Sequence, residues 1–148
     1  MKASDIMTPD PACCNPETTA RQAARLMEEN DCGSLPVCET DGENRLIGMV
    51  TDRDLALRVL GRGLPPDAPI KEAMSPQVIA CRPEDDLDRV ERLMAEHQLR
   101  RLPVIDSQSR CIGIIAQADL ARHRKQVGEK DFSKVLESIS EPVAHASV

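Results

Sequence analysis

The segment that decides the fold is GMVTDRDL, which runs from Gly48 to Leu55. It returns in altered form as GIIAQADL, from Gly113 to Leu120. Outward from these two segments, other residues recur in the same order in both halves of the chain. The pairs are Met7 and Met74, Pro9 and Pro76, Pro16 and Pro83, Leu26 and Leu93, Met27 and Met94, Pro36 and Pro103, and Val37 and Val104. The chain therefore contains two copies of one supersecondary unit.

The repeat sets the domain organisation that we predict. The first copy covers residues 1–62, a linker containing Gly and Pro covers 63–69, and the second copy covers 70–126. A C-terminal helix and tail occupy 127–148, with the helix expected from Asp131 to Ile139. The linker is short enough to keep the two copies in contact.

Each copy is predicted to read strand, helix, strand, strand, helix. In the first copy the elements are Pro11 to Asn15, Ala20 to Asn30, Leu35 to Cys38, Leu46 to Val50 and Thr51 to Gly61. In the second copy they are Gln77 to Cys81, Asp86 to Gln98, Leu102 to Ile105, Cys111 to Ile115 and Gln117 to Gln126. A unit of this size cannot bury both faces of its sheet alone. We therefore expect an α/β (α+β) fold in which two β-α-β-β-α units pack on each other through their sheets.

The composition argues against several classes of partner. A formal net charge of -6 and a pI near 5.1 disfavour nucleic acid and anionic membranes, which bind to basic surfaces. No apolar run approaches the roughly 18 residues that span a bilayer. Met1 is not followed by a charged and then apolar leader, so we expect a cytoplasmic protein.

Four repeated features together resemble the cystathionine-β-synthase (CBS) domain family. They are a Met-Thr/Ser-Pro turn, a helix ending in Leu-Met, a Leu-Pro-Val strand, and Gly-h-h-Thr-x-x-Asp-Leu, where h is apolar. The resemblance covers about residues 1–126 and implies a free-standing tandem CBS pair, or Bateman module. Such modules are regulatory units rather than enzymes, and they bind AMP, ADP, ATP or S-adenosylmethionine in clefts between the two copies. The resemblance also implies a homodimer and an unidentified target protein.

The resemblance assigns ligand-binding roles to the quoted segment. Asp54 would accept hydrogen bonds from both ribose hydroxyls, while Thr51 and the start of the following helix would hold phosphate. A structural interpretation stays open beside it, because Thr-x-x-Asp before an apolar run is close to a capping box. In the second copy Asp119 persists, but Ala116 replaces the hydroxyl. The second site is therefore expected to be the weaker one.

Four further residues are candidates by the same resemblance. Arg100 and Arg101 precede the Leu-Pro-Val strand, where related modules often carry basic residues that contact phosphate, and the guanidinium fork suits that task. Thr8 and Ser75 occupy the turn whose hydroxyl, in similar proteins, reaches the nucleotide held mainly by the other copy's Asp. Solvated arginines at a strand start, and ordinary turn chemistry, explain these residues equally well.

The six cysteines suggest another function class. They are Cys13, Cys14, Cys32, Cys38, Cys81 and Cys111. No Cys-x-x-Cys spacing occurs, and the three histidines follow no ligand pattern, so we predict no metal site. A cysteine-based redox or metal sensor nevertheless stays an alternative, as does a structural interaction module with degenerate clefts. The sequence shows no nucleophile and base arrangement, so no catalytic residue is predicted.

Overall fold

The chain divides into two compact units. The computed structural model describes residues 1–76, 78–125 and Ile139. Each unit combines segments from both copies of the sequence repeat. Unit 1 comprises Met1–Asp10, Ile79–Asp106 and Ile112–Val148, and unit 2 comprises Pro11–Val78 and Ser107–Cys111.

The architecture is mixed, with short helices and small antiparallel sheets, which confirms the predicted fold class. The elements are α1 Ala3–Ile6, β1 Thr8–Pro9, α2 Ala20–Glu29, β2 Ser34–Cys38, β3 Leu46–Thr51, α3 Asp52–Asp54, a π-helical segment Leu55–Leu60, a 3-10 turn Ile70–Glu72, α4 Leu87–His97, β4 Arg101–Ile105, β5 Cys111–Ala116 and α5 Gln117–Arg124. Among the described residues, none of these helices is long and apolar enough to cross a bilayer.

Unit 2 is built on the β2–β3 hairpin. Its register pairs Ser34 with Thr51, and a bulge lies between Val37 and Cys38. The predicted turn contains Gly42 at φ +84, a left-handed conformation that glycine adopts without strain. Alternate residues of β3 are buried, as expected for a strand with one face on a core. That core contains Cys14, Ala23, Met27, Leu35, Val37, Val50 and Ile70.

Unit 1 is built on a three-stranded sheet with the order β1-β5-β4. Thr8 of β1 pairs with Ile114 of β5 in the antiparallel direction. Helix α4 ends at His97 and is capped by Gln98, whose φ of 53 is the left-handed conformation common after helix ends. The core of the unit contains Ala3, Ile6, Cys81, Leu87, Val90, Met94, Leu102, Val104, Ile115, Leu120 and Ile139.

The predicted first strand of each copy is reduced to an isolated parallel bridge. Cys14 pairs with Val37 through bonds from its N–H to the Pro36 carbonyl (3.0 Å) and from the Cys38 N–H to its own carbonyl (2.8 Å). Extension of this ladder in either direction would require an N–H from Pro36 or from Pro16, and proline has none.

The second copy shows the same bridge, between Cys81 and Val104. Its ladder is blocked by Pro103 and Pro83, which are the repeat partners of the two prolines in the first copy. The predicted strands are therefore wrong in extent for a reason that the sequence contains. Gln77, the predicted start of the second of these strands, lies outside the described residues.

The helix predicted from Thr51 begins one residue later, with Thr51 as its N-cap, and continues from α3 into the π-helical segment. Helix α5 ends at Arg124, before Gln126, which is outside the described part of the chain. The predicted helix from Asp131 also lies outside it, except for Ile139, which is helical and buried.

Candidate functional site

Thr51 and Asp54 bond to each other at the start of α3. The Thr51 hydroxyl accepts from the Asp54 N–H at 3.0 Å, and Asp54 Oδ2 accepts from the Thr51 N–H at 2.9 Å. The capping box considered from the sequence is therefore present. Asp54 is only half-buried, and its Oδ1 has no hydrogen-bond partner among residues 1–76 and 78–125. One carboxylate oxygen is thus fixed, while the other can accept from a ligand.

Ser75 is brought to the same face of β3 as Thr51. Met49 and Ser75 exchange backbone hydrogen bonds of 3.1 Å and 2.9 Å, and Met49 lies two residues before Thr51. Residues two apart in a strand share a face, and paired residues point to the same side. A Cβ on Gly48 would stand 2.5 Å from the Ser75 carbonyl oxygen, so this approach requires glycine. The structure therefore gathers three predicted residues within unit 2.

Asp119 occupies the equivalent position in unit 1, with different partners. Its Oδ2 accepts from the Ala116 N–H at 2.8 Å, as in the first copy. Its Oδ1 accepts from the Arg122 guanidinium, and Asp119 is only 5% exposed. The methyl group of Ala116 cannot supply the second half of a capping box. Both oxygens of this carboxylate are therefore already bonded.

Arg100 and Arg101 are positioned at the start of α5. The Gln117 N–H donates to the Arg100 carbonyl at 3.1 Å, which ties the first turn of α5 to the residue before β4. Arg100 is exposed and Arg101 is half-buried at the first position of β4. Thr8 is exposed and pairs with Ile114, two residues before the N-cap of α5. The backbones of Thr8 and Arg100 are thus tied to β5 and to the start of α5.

The matching backbone bond in unit 2 carries different side chains. There the Asp52 N–H donates to the Gly33 carbonyl at 2.9 Å. A Cβ on Gly33 would stand 3.0 Å from the Asp52 carboxylate, so a larger residue would crowd it. In this unit Asp52 and Asp54 have two arginines near them, Arg53 and Arg58, and Arg58 donates to the Ala73 carbonyl at 3.1 Å. In unit 1, by contrast, Asp119 is paired with Arg122, and Arg100 and Arg101 precede β4. The candidate site in unit 1 is therefore the more basic of the two.

Sequence reasoning missed the arginines of α5. The Asp119–Arg122 ion pair has i,i+3 spacing, which is a readable helix signal. Arg124 forms an ion pair with Glu91, and both residues are buried, at 7% and 6% exposure. Burial lowers the pKa of Arg124, but hydrogen bonds and charge from Glu91 and Asp88 outweigh it and raise the pKa. No local pattern could reveal a pair so distant in sequence.

The cysteines are reduced, and five of the six fall into two environments. Cys14 and Cys81 lie in the cores of unit 2 and unit 1. Cys13, Cys38 and Cys111 instead lie together in unit 2, and the interactions between their thiols shift the pKa of Cys13 and of Cys38. Within the part of the chain that the structure describes, no group of three His, Cys, Asp or Glu side chains is arranged to hold a metal ion.

Comparison with known proteins agrees with the two-copy architecture. The model of the CBS domain matches residues 3–61 and again residues 64–125. The chain is 38% identical over 141 residues to the CBS domain-containing protein YhcV of Bacillus subtilis, covering 95% of this chain and 96% of that protein. It is 37% identical over 146 residues to hypoxic response protein 1 of Mycobacterium tuberculosis, covering 98% of each chain.

Solved structures show the same fold. A crystal structure of hypoxic response protein I with two coordinated zinc ions has a TM-score of 0.76 and 38% identity, covering 83% of this chain and 98% of that one. A crystal structure of CBSX2 in complex with AMP has a TM-score of 0.73 and 29% identity, covering 85% and 97%. With both copies matched and with relatives this similar over nearly their full length, the protein belongs to the CBS domain family, as a tandem pair of CBS domains.

Proposed function

We propose that this CBS pair is a regulatory module that binds an adenosyl ligand such as AMP, ADP, ATP or S-adenosylmethionine. Each compact unit supplies one site, formed by residues from both sequence copies. Ligand occupancy changes the affinity for a target protein. The proposed ligand-binding residues are Thr51, Asp54 and Ser75 in unit 2, and Thr8, Arg100, Arg101 and Asp119 in unit 1.

The observation that carries this proposal is the Asp54 carboxylate. Its Oδ2 is fixed by the Thr51 N–H, and its Oδ1 is left to accept at a half-exposed position. A fixed carboxylate suits the two neighbouring hydroxyls of a ribose, because each hydrogen bond to a charged group contributes about 1.5 to 3 kcal/mol. The Thr51 hydroxyl accepts from the Asp54 N–H, so it keeps its own proton to donate to a polar group of the same ligand, and Ser75 lies on the same face of β3.

The unit 1 site favours a ligand that carries phosphate. Arg100 and Arg101 lie beside the α5 start, and guanidinium binds phosphate through two parallel N–H donors. Arg122 holds Asp119 Oδ1, but its side chain is 72% exposed. It can therefore turn from the carboxylate to a phosphate and leave Asp119 to a ribose. The AMP bound to CBSX2, which is 29% identical to this chain, supports the assignment to an adenine nucleotide.

We infer further that the module acts as a homodimer in the cytoplasm. Two leucines of the π-helical segment are exposed, Leu57 at 40% and Leu60 at 79%. Exposed apolar side chains grouped on one element are typical of an interaction surface. Light scattering at micromolar concentration tests the dimer, and a monomer mass would refute it. Cell fractionation tests the location.

Ultraviolet absorption and thermal melting test the ligand. The chain has no Trp and no Tyr, so a purine retained through purification would dominate the near-ultraviolet spectrum, at about 260 nm. In ligand-free protein, an adenosyl compound at about 100 times its Kd should stabilise the fold by roughly 2.7 kcal/mol, which raises the Tm by a few degrees. AMP, ADP, ATP and S-adenosylmethionine form the test set, with GTP as the control.

The comparison with GTP separates the candidate functions. We expect adenosyl compounds to raise the Tm more than GTP, since backbone groups of the site should distinguish the adenine edge. If no nucleotide shifts the transition, the protein is better described as a structural interaction module. An equal shift from GTP would refute adenosyl selectivity while retaining nucleotide binding.

A further inference from the structure

Three cysteines of unit 2 converge on the side of β2 opposite the core. Cys14 forms a parallel bridge with Val37, and both belong to the core of the unit. Side chains alternate along extended segments. Cys13, which precedes Cys14, and Cys38, which follows Val37, are therefore directed to the other face. Cys38 is buried there, although it does not belong to that core.

The third cysteine reaches this face through the turn before β5. An antiparallel bridge joins Arg45 to Arg110, and the Cys111 N–H donates to the Asn44 carbonyl at 2.9 Å. The Asn44 side chain also donates to the Cys111 carbonyl, at 3.0 Å. These bonds fix Cys111 beside the start of β3, whose first residue pairs with Cys38. The three thiols thus come from separate backbone segments that hydrogen bonds hold in place.

Burial distinguishes the three sulfur atoms. Cys38 and Cys111 are each 3% exposed, whereas Cys13 is half-buried. As a neutral thiol Cys13 donates to the Pro11 carbonyl at 3.3 Å. As a thiolate its sulfur can accept from the Cys111 and Cys38 thiols. Because a negative charge is least disfavoured at the most solvated sulfur, the thiolate of this cluster forms on Cys13.

The pKa shifts agree with this geometry. Hydrogen bonds from Cys111 and Cys38 lower the pKa of Cys13, against the opposing effect of burial. The same contacts, together with burial, raise the pKa of Cys38. By contrast, burial raises the pKa of Cys14 and of Cys81 to about 12, so these core thiols stay protonated.

We propose that Cys13 is an oxidation site, and that hydrogen peroxide converts it with Cys38 or Cys111 into an intramolecular disulfide. The Cys13 thiolate attacks one peroxide oxygen, the O–O bond breaks and hydroxide leaves, so that Cys13 becomes a sulfenic acid. A neighbouring thiol sulfur then attacks the Cys13 sulfur, the S–O bond breaks, and water leaves with the thiol proton. In total two thiols lose two electrons, and one peroxide is reduced to two waters.

Peptide mapping of the intact protein tests the oxidation site. After peroxide treatment without reductant, mass spectrometry should find the Cys13 peptide joined to the Cys38 or the Cys111 peptide. Cys32 is a matched control because it is also half-buried and lies in the same unit. We expect peroxide to consume the free thiol of Cys13 about tenfold faster than that of Cys32, because the thiolate is the reactive form. The variant Cys13→Ser should form neither disulfide, while Cys32→Ser should form it normally.

Iodoacetamide labelling gives a second measurement that needs no disulfide. When the pH falls from 8 to 6, the labelling of free cysteine in solution slows by roughly a hundredfold, because its pKa lies near 8.5 and its thiolate fraction therefore falls. The labelling of Cys13 should slow by less than tenfold over this range. A Cys13 that slows like free cysteine would contradict a stabilised thiolate.

Several results would overturn the proposal. They are a disulfide without Cys13, a sulfenic acid at Cys13 that never forms a disulfide, and equal peroxide reactivity of Cys13 and Cys32. Tight binding of one equivalent of Zn²⁺ that protects all three thiols would favour a metal site instead. None of these measurements involves a nucleotide, so their outcome is independent of the adenosyl proposal.

Discussion

The two candidate sites keep the same backbone bonds but differ in local charge. In both units an aspartate three residues after the N-cap accepts from the N-cap amide, at 2.9 Å in unit 2 and 2.8 Å in unit 1. In unit 2, Asp52 and Asp54 are balanced by Arg53 and Arg58. In unit 1, Arg100, Arg101 and Arg122 outnumber Asp119. The repeat thus gives both candidate sites the same backbone, and we expect the substituted side chains to decide which ligand charge each one favours.

The comparison also bears on the Thr51 hydroxyl. Ala116 has no hydroxyl, yet α5 begins at the position equivalent to α3, with the same bond from the N-cap amide to the aspartate. The helix start therefore does not depend on the hydroxyl, which contributes only about 1 kcal/mol as a cap. This leaves Thr51 open to a ligand-binding role as well as a capping role.

The largest effect that we predict distinguishes the ion pairs of the two units. The variant Glu91→Ala leaves Arg124 buried without its main partner, which should cost about 3 kcal/mol of unfolding free energy. Urea denaturation should show a lower midpoint at an unchanged slope. The matched control is Lys71→Ala in unit 2, which removes an exposed 2.9 Å ion pair with Glu17. Equal losses for both variants would show that Arg124 reaches solvent or Asp88 instead.

The second prediction concerns the two aspartates. The variant Asp54→Asn keeps an oxygen for the Thr51 amide but loses the charged acceptor for a ligand. Calorimetric titration with S-adenosylmethionine should show a Kd raised about tenfold to a hundredfold, corresponding to 1.5 to 3 kcal/mol. Asp119→Asn should raise it only a few-fold, since Asp119 is already bonded on both oxygens. A larger loss at Asp119 would reverse the proposed ranking of the sites.

The third prediction compares the repeat glycines Gly48 and Gly113. A Cβ on Gly48 would meet the backbone carbonyl of Ser75, whereas a Cβ on Gly113 would meet the side chain of Met7. A methionine side chain can change rotamer, but a hydrogen-bonded backbone cannot move as easily. We expect Gly48→Ala to destabilise by about 1 to 3 kcal/mol, and Gly113→Ala to destabilise less. Denaturation midpoints of the two variants decide this, and the reverse order would contradict it.

Much of the fold could be predicted because its signals are local. Helix α2 follows from Thr19 and Gln22, whose side chains form a capping box, and from Ala23 and Met27, which share the buried face. The predicted first strands are too long because prolines, which the apolar runs do not reveal, limit the ladder. Pro16 and Pro36 lack the N–H that a longer ladder requires, and the sequence shows both.

The site was less predictable because its chemistry depends on distant contacts. The repeat identified Asp54 and Asp119 as equivalent residues. It did not predict that Arg122 pairs with Asp119. The three neighbouring thiols come from positions 13, 38 and 111, and no sequence spacing predicts such a group. A capping box and a ribose contact also require the same Thr-x-x-Asp pattern. The structure shows the box, and the ligand role stays a prediction.

The smallest effect that we predict tests the charge difference itself. The double variant Arg100→Gln, Arg101→Gln should weaken ATP binding about fivefold at low salt, which corresponds to the ~1 kcal/mol of a partly exposed charge pair. Adenosine has no phosphate, so its Kd should not change. The matched control is Arg53→Gln, which alters the arginine between the two aspartates of unit 2 and should leave ATP binding unchanged.

The salt dependence of ATP binding provides a second test. Because exposed charges are screened within about 10 Å at 0.1 M salt, the loss of ATP affinity in the double variant should become smaller as the salt concentration rises. If adenosine and ATP weaken equally in the double variant, the arginines act on the fold rather than on phosphate. If Arg53→Gln weakens ATP binding instead, phosphate binds in unit 2, and the more basic site of unit 1 is not the one that selects ATP.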